Sequence, residues 1–287
     1  MVKAHVDGDV LVYEIGFAAE AAWKYFAQSK GEEPEGFPPF ELVFDMLQER
    51  ISYIIGQTEA DESVIYLTGK QNFRNHVAFT VPYKTRAGNK PFHYKNIRAV
   101  LPTMFECEIV EGLEADDLIA LNLGDGVAVS RDKDIRQLEG THYSWELNSQ
   151  PAIGPHKTDT FGSLELRKDK LLGYGDKFLY SQILTGDSVD SIPGCPNYGP
   201  KKAIKILENC TNTDECLEAI IPIYQKCYQL EWKSVLREQA RLVYLARRFE
   251  NGKVLLWDFP GEDETWMDVL SGQTYASPQD SEGGVLH

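Results

Sequence analysis

The amino-acid sequence predicts an α/β protein in which helices flank a mostly parallel central sheet and a helical part follows. Over residues 1–175, short apolar runs alternate with longer segments whose apolar residues recur at helical spacing, and this alternation favours a parallel sheet. After residue 175, helical patterns dominate. Of the 287 residues, 43% are hydrophobic and 25% are charged, a composition typical of a globular protein with a sizeable core.

The first part of the chain supplies four strand candidates and three helix candidates. The strand candidates are short apolar-rich runs: Val2–Val6, Ser63–Leu67, Cys107–Val110 and Val127–Val129. The helix candidates carry apolar residues every three or four positions: Val10–Gln28, Phe40–Ile55 and Glu114–Leu123.

The second part supplies four more helix candidates, which are Phe178–Thr185, Pro200–Asn209, Thr213–Tyr228 and Glu231–Phe249. A strand candidate, Lys253–Trp257, follows them. The last stretch is rich in Gly, Ser and Asp, which is typical of a flexible segment. We therefore expect an α/β domain over residues 1–175, a helical part over 176–270 and a flexible tail over 271–287.

The net charge of −15 by itself argues against a general nucleic-acid binder, whose surface is usually basic. Clustered acids that hold divalent metal no longer repel phosphate, however, so the total does not exclude one. The five cysteines form no CxxC pair, no apolar run reaches the ~20 residues of a membrane span, and the chain starts without a targeting pattern. We expect a cytoplasmic protein with reduced thiols and no membrane partner.

Acidic residues gather in four segments at the ends of predicted elements. They are Asp7 in VDGD, Glu114, Asp116 and Asp117 in EADD, Asp132 and Asp134 in SRDKD, and Asp187 and Asp190 in GDSVD. Ligand sites of open parallel sheets lie at the carboxyl ends of the strands. Taken singly, each acid has an ordinary explanation as a helix cap or a turn residue.

Eight carboxylates at one edge would repel one another without cations. A donor set made only of oxygen atoms suits Mg²⁺ or Mn²⁺, and two such ions support hydrolysis of phosphate esters. The acids alone leave open whether the ester is a nucleic acid or a small molecule.

A basic and aromatic segment separates the second predicted strand from the third. Its cations are Arg74, Lys84, Arg86, Lys90, Lys95 and Arg98, and its rings are Phe73, Phe79, Tyr83, Phe92 and Tyr94. One interpretation is a solvated loop. The other is an element that threads a nucleic-acid strand, with cations for phosphates and rings for unpaired bases.

The stretch GDSVDSIPGCPNYGPKKA places a tight turn between two predicted helices. Gly199 precedes Pro200, which suits the first position of a helix. A turn of this kind, which includes Gly194, exposes backbone N–H groups that bind phosphate, and Lys201 and Lys202 add positive charge. A plain helix–turn–helix packing element is the alternative.

These motifs together resemble the flap endonuclease and 5′-3′ exonuclease superfamily, and most of all its short phage exonucleases. The matching stretches are VDGD, YKTR, EADD, SRDKDIRQL and GDSVDSIPGCPNYGPKKA. The resemblance implies a PIN-like, resolvase-like α/β fold with a helix–three-turn–helix over about residues 179–209. It also implies a two-metal nuclease that hydrolyses phosphodiester bonds from a 5′ end, flap or overhang of duplex DNA, or in the RNA of RNA–DNA hybrids. A role in phage DNA replication, recombination or host-DNA degradation would follow.

The resemblance also implies roles for individual residues. Asp7, Glu114 and Asp116 would serve a first Mg²⁺ or Mn²⁺ ion. Asp132, Asp134, Asp187 and Asp190 would serve a second, and Asp117 would lie near both. Lys84 and Arg86 would act at the scissile phosphate within an arch or gateway over residues 68–98. DNA contacts would come from Tyr83, Lys84, Arg86, Gly194, Gly199, Lys201 and Lys202, with a K⁺ ion at the turn.

One departure from the family pattern concerns the first metal. Thr68 and Gly69 stand where an aspartate is expected. A water molecule or another acid, for which Asp9 is a candidate, would complete the shell, or the metal would bind weakly. The alternative function is therefore a catalytically weakened or inactive protein that binds DNA ends or junctions.

Overall fold

The computed structural model describes residues 1–33, 35–85, 88–148, 150–168 and 170–276. It confirms the α/β prediction with a six-stranded sheet. The strands are β1 (Lys3–Asp7), β2 (Glu62–Tyr66), β3 (Cys107–Glu108), β4 (Val127–Val129), β5 (Gly140–Ser144) and β6 (Ile153–Thr158). Their order is β3-β2-β1-β4-β5-β6. The first five are parallel and β6 is antiparallel.

Helices cover both faces of this sheet. In chain order they are α1 (Gly8–Ser29), α2 (Phe40–Gly56), α3 (Arg74–Val77), α4 (Tyr94–Met104) and α5 (Ala115–Asn122), and a 3₁₀ turn follows at Asp134–Gln137. Alternate residues of a strand point to opposite faces. Accordingly, Ile65 packs with the cluster under α1, α2 and α4, whereas Val64 and Tyr66 pack with the cluster under α5.

The second part of the chain is helical, with a hairpin before the helices and a sheet after them. The sequence patterns predicted one strand of that sheet, Lys253–Trp257, which forms over Lys253–Leu255, but not its other strands or the hairpin. The helices are α6 (Gly175–Thr185), α7 (Pro200–Leu207), α8 (Thr213–Tyr228) and α9 (Trp232–Val243). A hairpin of β7 (Ser163–Arg167) and β8 (Lys170–Tyr174) precedes them. A four-stranded antiparallel sheet closes the chain: β9 (Phe249–Glu250), β10 (Lys253–Leu255), β11 (Thr265–Asp268) and β12 (Thr274–Ala276).

The last helix ends earlier than its apolar spacing predicts. It ends at Val243 instead of Phe249 because three side chains from the earlier part of the chain form hydrogen bonds with the backbone of residues 244–246. The Tyr244 carbonyl accepts from Arg74, the Leu245 N–H donates to Gln137, and the Ala246 N–H donates to Asp117.

The chain's end differs from the predicted tail over part of its length. Thr274–Ala276 pairs with β11, so the fold reaches into the segment predicted to be flexible, and residues 277–287 lie outside the described part. Among the described residues, no helix has both the length and the apolar character that a bilayer crossing requires.

Two glycines close the turn between α6 and α7. Gly186 ends α6 with φ +71°, and Gly194 has φ +62°. A side chain on Gly194 would put its Cβ 2.3 Å from the Gly186 nitrogen. Backbone bonds of 2.8 Å in both directions join Asp187 to Ile192. The turn therefore fixes the aspartate segment against the end of α6. Gly199, by contrast, meets nothing within 4 Å.

Alanine substitutions should separate these two glycines. Gly194→Ala forces a Cβ into backbone atoms at a positive φ and should lower the free energy of unfolding by more than about 1 kcal/mol. Gly199→Ala, in open space at the start of α7, should cost no more than about 0.5 kcal/mol. Urea unfolding of both variants measures the difference, and equal losses would contradict the proposed constraint.

Candidate metal centre

The carboxyl ends of β1 and β4 meet through one aspartate. Asp7 ends β1, and its Oδ1 accepts from the backbone nitrogens of Asp9 and Val10 at 3.0 and 3.2 Å, which caps α1. Its Oδ2 accepts from Ser130 Oγ, just after β4, at 2.7 Å. The predicted clustering of acids at one sheet edge follows from this junction, because Asp132 lies two residues beyond Ser130.

The described residues contain two groups of carboxylates close enough to share an ion. One group is Glu114, Asp116 and Asp117, and the other is Asp134, Asp187 and Asp190. Within each group, oxygen atoms lie within 4.8 Å of one another.

Asp7 and Asp132 fall outside both groups but lie beside them. Together with Glu114 and Asp116, they line one open cavity of about 860 Å³. Asp132 Oδ1 also accepts from the Asp134 nitrogen at 2.9 Å. The structure therefore places four of the eight predicted ligands in the lining of the cavity, and three more, Asp134, Asp187 and Asp190, in a group connected to it through Asp132 and Lys84. The eighth, Asp117, has a different environment.

Several of these acids retain protons that free carboxylates would lose. Burial, with the charges of Asp9 and Asp132, raises the pKa of Asp7 to about 7. Burial, with Asp132 and Asp187, raises the pKa of Asp134 to about 8. Burial, Glu114 and Asp117 raise the pKa of Asp116 well above its ordinary value. Desolvated oxygens that repel one another are a donor set that fits a hard divalent cation.

Asp117 is an anchor whose oxygens are all in use. It is fully buried. It accepts from Arg74 Nη1 and Nη2 at 2.6 and 2.8 Å, and from the nitrogens of Glu114 and Ala246 at 3.1 and 3.0 Å. Four donors fill the acceptor sites of a carboxylate. Arg74 is only 1% exposed, so this member of the basic segment is an interior residue and is not available at the surface.

Tyr83 and Lys84 bridge the two carboxylate groups. Tyr83 Oη donates to Glu114 Oε2 at 3.0 Å and to Asp190 Oδ2 at 3.1 Å. Lys84 Nζ forms an ion pair with Glu114 and lies 3.9 Å from Asp190 Oδ1. Burial alone would raise the pKa of Glu114, but Lys84 and Arg74 outweigh it and lower that pKa. Arg86, the second predicted catalytic residue, lies outside the described residues.

A second lysine neutralises the other group. Lys133 Nζ lies 2.6 Å from Asp187 Oδ2. Burial alone would raise the pKa of Asp187, but its hydrogen bond with the Lys133 ammonium leaves that pKa lowered. Sequence reasoning missed Lys133. Its position between Asp132 and Asp134 was the available signal, because a cation flanked by two acids balances their charge.

An ion pair contacts Thr68, one of the two residues that stand where the resemblance leads us to expect an aspartate. Asp9 Oδ1 lies 2.6 Å from Arg98 Nη1, and Asp9 Oδ2 accepts from the Thr68 nitrogen at 3.0 Å. Arg98 Nη2 donates to the Thr68 carbonyl at 2.5 Å. Asp9, the candidate replacement, is therefore already engaged. A Cβ on Gly69 would lie 3.0 Å from Glu111 Cα, so the loop is also tightly packed there.

The rest of the basic segment forms a wall of the cavity. Lys70, Lys84, Lys90, Lys95 and Arg98 line it together with the acids, and two of them, Lys84 and Arg98, pair with lining acids. The segment folds into α3 and α4, with a linking stretch described except at residues 86 and 87. At the turn, Lys202 Nζ donates to the Asn197 carbonyl at 2.8 Å. Lys201 lies beside it in the first turn of α7.

Sequence comparison finds relatives among nucleases and polymerases, whereas no family model matches the chain. The 5′-3′ exonuclease of Buchnera aphidicola (Schizaphis graminum) is 28% identical over 222 residues, which cover 72% of this chain and 70% of the relative. Flap endonuclease Xni of Shewanella woodyi is 32% identical over 46% of this chain and 53% of its own length. DNA polymerase I of Rhizobium leguminosarum is 34% identical over 42% of this chain. The matched part spans 12% of that polymerase and about half of the Shewanella protein.

Structure comparison finds the same fold. A bacteriophage T5 protein co-crystallised with metal ions superposes with a TM-score of 0.57 at 16% identity, over 85% of this chain and 90% of the T5 chain. The T5 flap endonuclease in a complex with DNA and metal ions gives 0.56 at 17% identity, over 85% and 89%.

Two neighbouring aspartates should respond in opposite ways to the same change. Asp117→Asn leaves the buried Arg74 charge with half of its pairing and should lower the free energy of unfolding by about 3 kcal/mol. Asp116→Asn removes a carboxyl whose ionisation the fold opposes, so in EDTA it should leave that free energy unchanged or raise it. The matched measurement is urea unfolding in EDTA. A larger loss for Asp116→Asn would overturn the assignment of Asp117 as the anchor.

The raised carboxyl pKa values predict how stability and metal binding depend on pH. Up to the folded values of about 7 for Asp7 and about 8 for Asp134, these carboxyls bind more protons in the folded protein than in the unfolded chain. Burial lowers the pKa of His5 and of His142 to about 4, which acts in the opposite direction up to their ordinary value of 6.5. The free energy of unfolding without metal should therefore fall as pH rises from about 6.5 to about 8.

Affinity for Mg²⁺ should move in the opposite direction, because ligands must lose their protons. The Kd should fall by about ten-fold or more between pH 6 and pH 8. Titration calorimetry at both pH values and urea unfolding in EDTA check the two trends. A metal-free protein whose stability rises from about pH 6.5 to about pH 8 would contradict the pKa assignments.

Proposed function

We propose that the chain is a metal-dependent nuclease of the 5′-3′ exonuclease and flap endonuclease family, which its relatives and its fold support. Its substrate would be duplex DNA with a 5′ end, flap or overhang, and the RNA strand of RNA–DNA hybrids would be a second substrate. One observation carries this proposal: Tyr83 and Lys84 bridge two carboxylate groups beside a cavity that both acids and cations line. A role in phage DNA replication, recombination or host-DNA degradation is part of the proposal.

The donor set supports two divalent cations. Asp7, Glu114 and Asp116 would hold one Mg²⁺ or Mn²⁺, and Asp132, Asp134, Asp187 and Asp190 the other. Bound there, the ions supply an activated water and stabilise the leaving oxygen in phosphodiester hydrolysis. Asp117 would not bind a cation directly. Its hydrogen bond from the Glu114 nitrogen would hold the start of α5, and with it Glu114 and Asp116, in position.

The remaining side chains would bind and orient the nucleic acid. Lys84 Nζ lies beside both carboxylate groups, so once Glu114 and Asp190 are otherwise neutralised, its ammonium is free to hold a phosphate oxygen. Tyr83 would keep the irregular segment that carries Lys84 in place. Arg86 would join them at the scissile phosphate. The other cations that line the cavity would contact neighbouring phosphates.

The turn before α7 would grip the duplex away from the cut. Gly194 and Gly199 keep its backbone bare of side chains, and Lys201 and Lys202 add charge at the helix start. A K⁺ ion at the turn carbonyls is part of this proposal. Asp187 and Asp190 belong to the same segment as this turn. The turn would therefore bind the duplex at a fixed distance from the metal-binding carboxylates.

A catalytically weakened or inactive DNA-end binder is the second candidate. The engaged Asp9 favours it, since one carboxylate fewer is available to the first cation. Such a protein would bind DNA ends tightly and in a salt-dependent manner without turnover.

Nuclease assays should separate the two candidates. With Mg²⁺ or Mn²⁺, the wild-type protein should release nucleotides from 5′-labelled duplex. Asp132→Asn and Lys84→Met should each slow release by about a hundred-fold or more. The control Asp125→Asn changes an exposed acid outside the cavity and should retain full activity. DNA binding without release in either ion would support the inactive binder, and faster hydrolysis of a small aryl phosphate than of DNA would contradict both.

A further inference from the structure

One face of α1 leads away from the metal edge and carries the segment at residues 90–98. Four α1 residues, spaced three or four apart, share this face. Their contacts run in order along it: Asp9 with Arg98, Tyr13 with Tyr94, Gly16 with Pro91, and Glu20 with Phe92. From Asp9 to Glu20, eleven helical residues cover about 16 Å. The face therefore joins the cavity to a point well outside it.

Two exposed phenylalanines lie at the outer end of this face. Phe37 is 58% exposed and Phe92 is 53% exposed. Their rings stack with centroids 3.6 Å apart and an interplanar angle of 4°. Since stacking covers one face of each ring, the remaining exposed area is mostly the outer faces.

The pair is rigidly mounted. The Phe92 nitrogen donates to Glu20 Oε1 at 2.7 Å. Buried His93 packs edge-on to Phe92 at 4.9 Å, and its Nε2 hydrogen-bonds to the Pro38 carbonyl at 2.7 Å. Both segments that carry the rings are thus fixed to each other and to α1. A surface with fixed, open aromatic faces is prepared for a flat partner.

The positive charges beside the two phenylalanines favour a nucleic-acid strand as the partner. Lys90 and Lys95, which lie on either side of Phe92 in the sequence, line the cavity, and Lys90 Nζ lies 4.4 Å from the centre of the Tyr94 ring. In a protein of net charge −15, this local run of cations beside rings matches a phosphate backbone that carries bases.

We propose that the Phe37–Phe92 pair is a stacking platform for an unpaired base of the 5′ single strand, a few nucleotides from the metal edge. This inference rests on the proposed nuclease function and adds a preference for substrates with a 5′ overhang. Stacking on an aromatic face is tolerant of sequence, so any base would be accepted. Overhangs too short to reach the platform would bind no better than blunt ends.

Fluorescence of 2-aminopurine, which falls when the base stacks, tests the platform directly. The full chain is mixed with duplexes that carry the probe at each position of a short 5′ overhang in turn, with Ca²⁺ occupying the carboxylate sites. One position should be quenched, and Phe92→Leu, which keeps apolar volume but removes the ring, should abolish the quenching. The Kd for the overhang should rise about ten-fold, and the Kd for blunt duplex should stay unchanged.

Two further variants control for indirect effects. Phe92→Trp should restore both the quenching and the affinity. Phe26→Ala removes a ring of similar exposure, 52%, elsewhere on α1 and should change neither. Quenching that is unaffected by Phe92→Leu, or variants that alter only self-association in sedimentation, would overturn the platform. Cleavage by the same protein preparations is measured separately in Mg²⁺. An absence of cleavage would count against the nuclease proposal, whereas an absence of quenching would count against the platform.

Discussion

The buried contact between Arg74 and Asp117 fixes the positions of the helices that surround the acidic cluster. From α3, the guanidinium reaches Asp117 and Glu114 at the start of α5, and it also reaches the carbonyls of Leu242 and Tyr244 at the end of α9. One side chain thus joins both halves of the chain. A buried charge of this kind is retained only when every donor is matched, and that requirement fixes the first turn of α5 at the cavity.

Around this anchor, the remaining carboxylates differ in how far their charge is balanced. Asp117 is paired completely, whereas Glu114 and Asp187 are paired with the lysines Lys84 and Lys133. Asp7, Asp116 and Asp134 have raised pKa values because burial and like charges dominate. The carboxylates of this second set repel one another, and a bound cation would remove that repulsion. The same electrostatics that destabilise the metal-free protein therefore favour metal binding.

The sequence predicts several elements well because their apolar spacing is local, whereas α4, β5 and β6 were not predicted. Thr213–Tyr228 and Val127–Val129 have their predicted bounds. The patterns fail where distant residues decide: α9 ends at Val243 because Asp117 and Gln137 bind the backbone after it. The acids were likewise located from spacing, but the difference between Asp116 and Asp117 was not predictable. Adjacent aspartates look alike until Arg74, more than forty residues earlier, is placed against one of them.

The gap at Thr68–Gly69 also depends on long-range contacts. Arg98 and Asp9 together bind the N–H and the carbonyl of Thr68, and Thr68 Oγ1 accepts from the Ala115 nitrogen at 3.0 Å. The residues that replace an expected ligand therefore brace the helix that carries Glu114 and Asp116. In the proposed metal centre, the Arg98 guanidinium would therefore stand near the place where the resemblance implies a carboxylate. This would lower the negative charge around the first cation, and so weaken its binding, while it strengthens the attraction for phosphate.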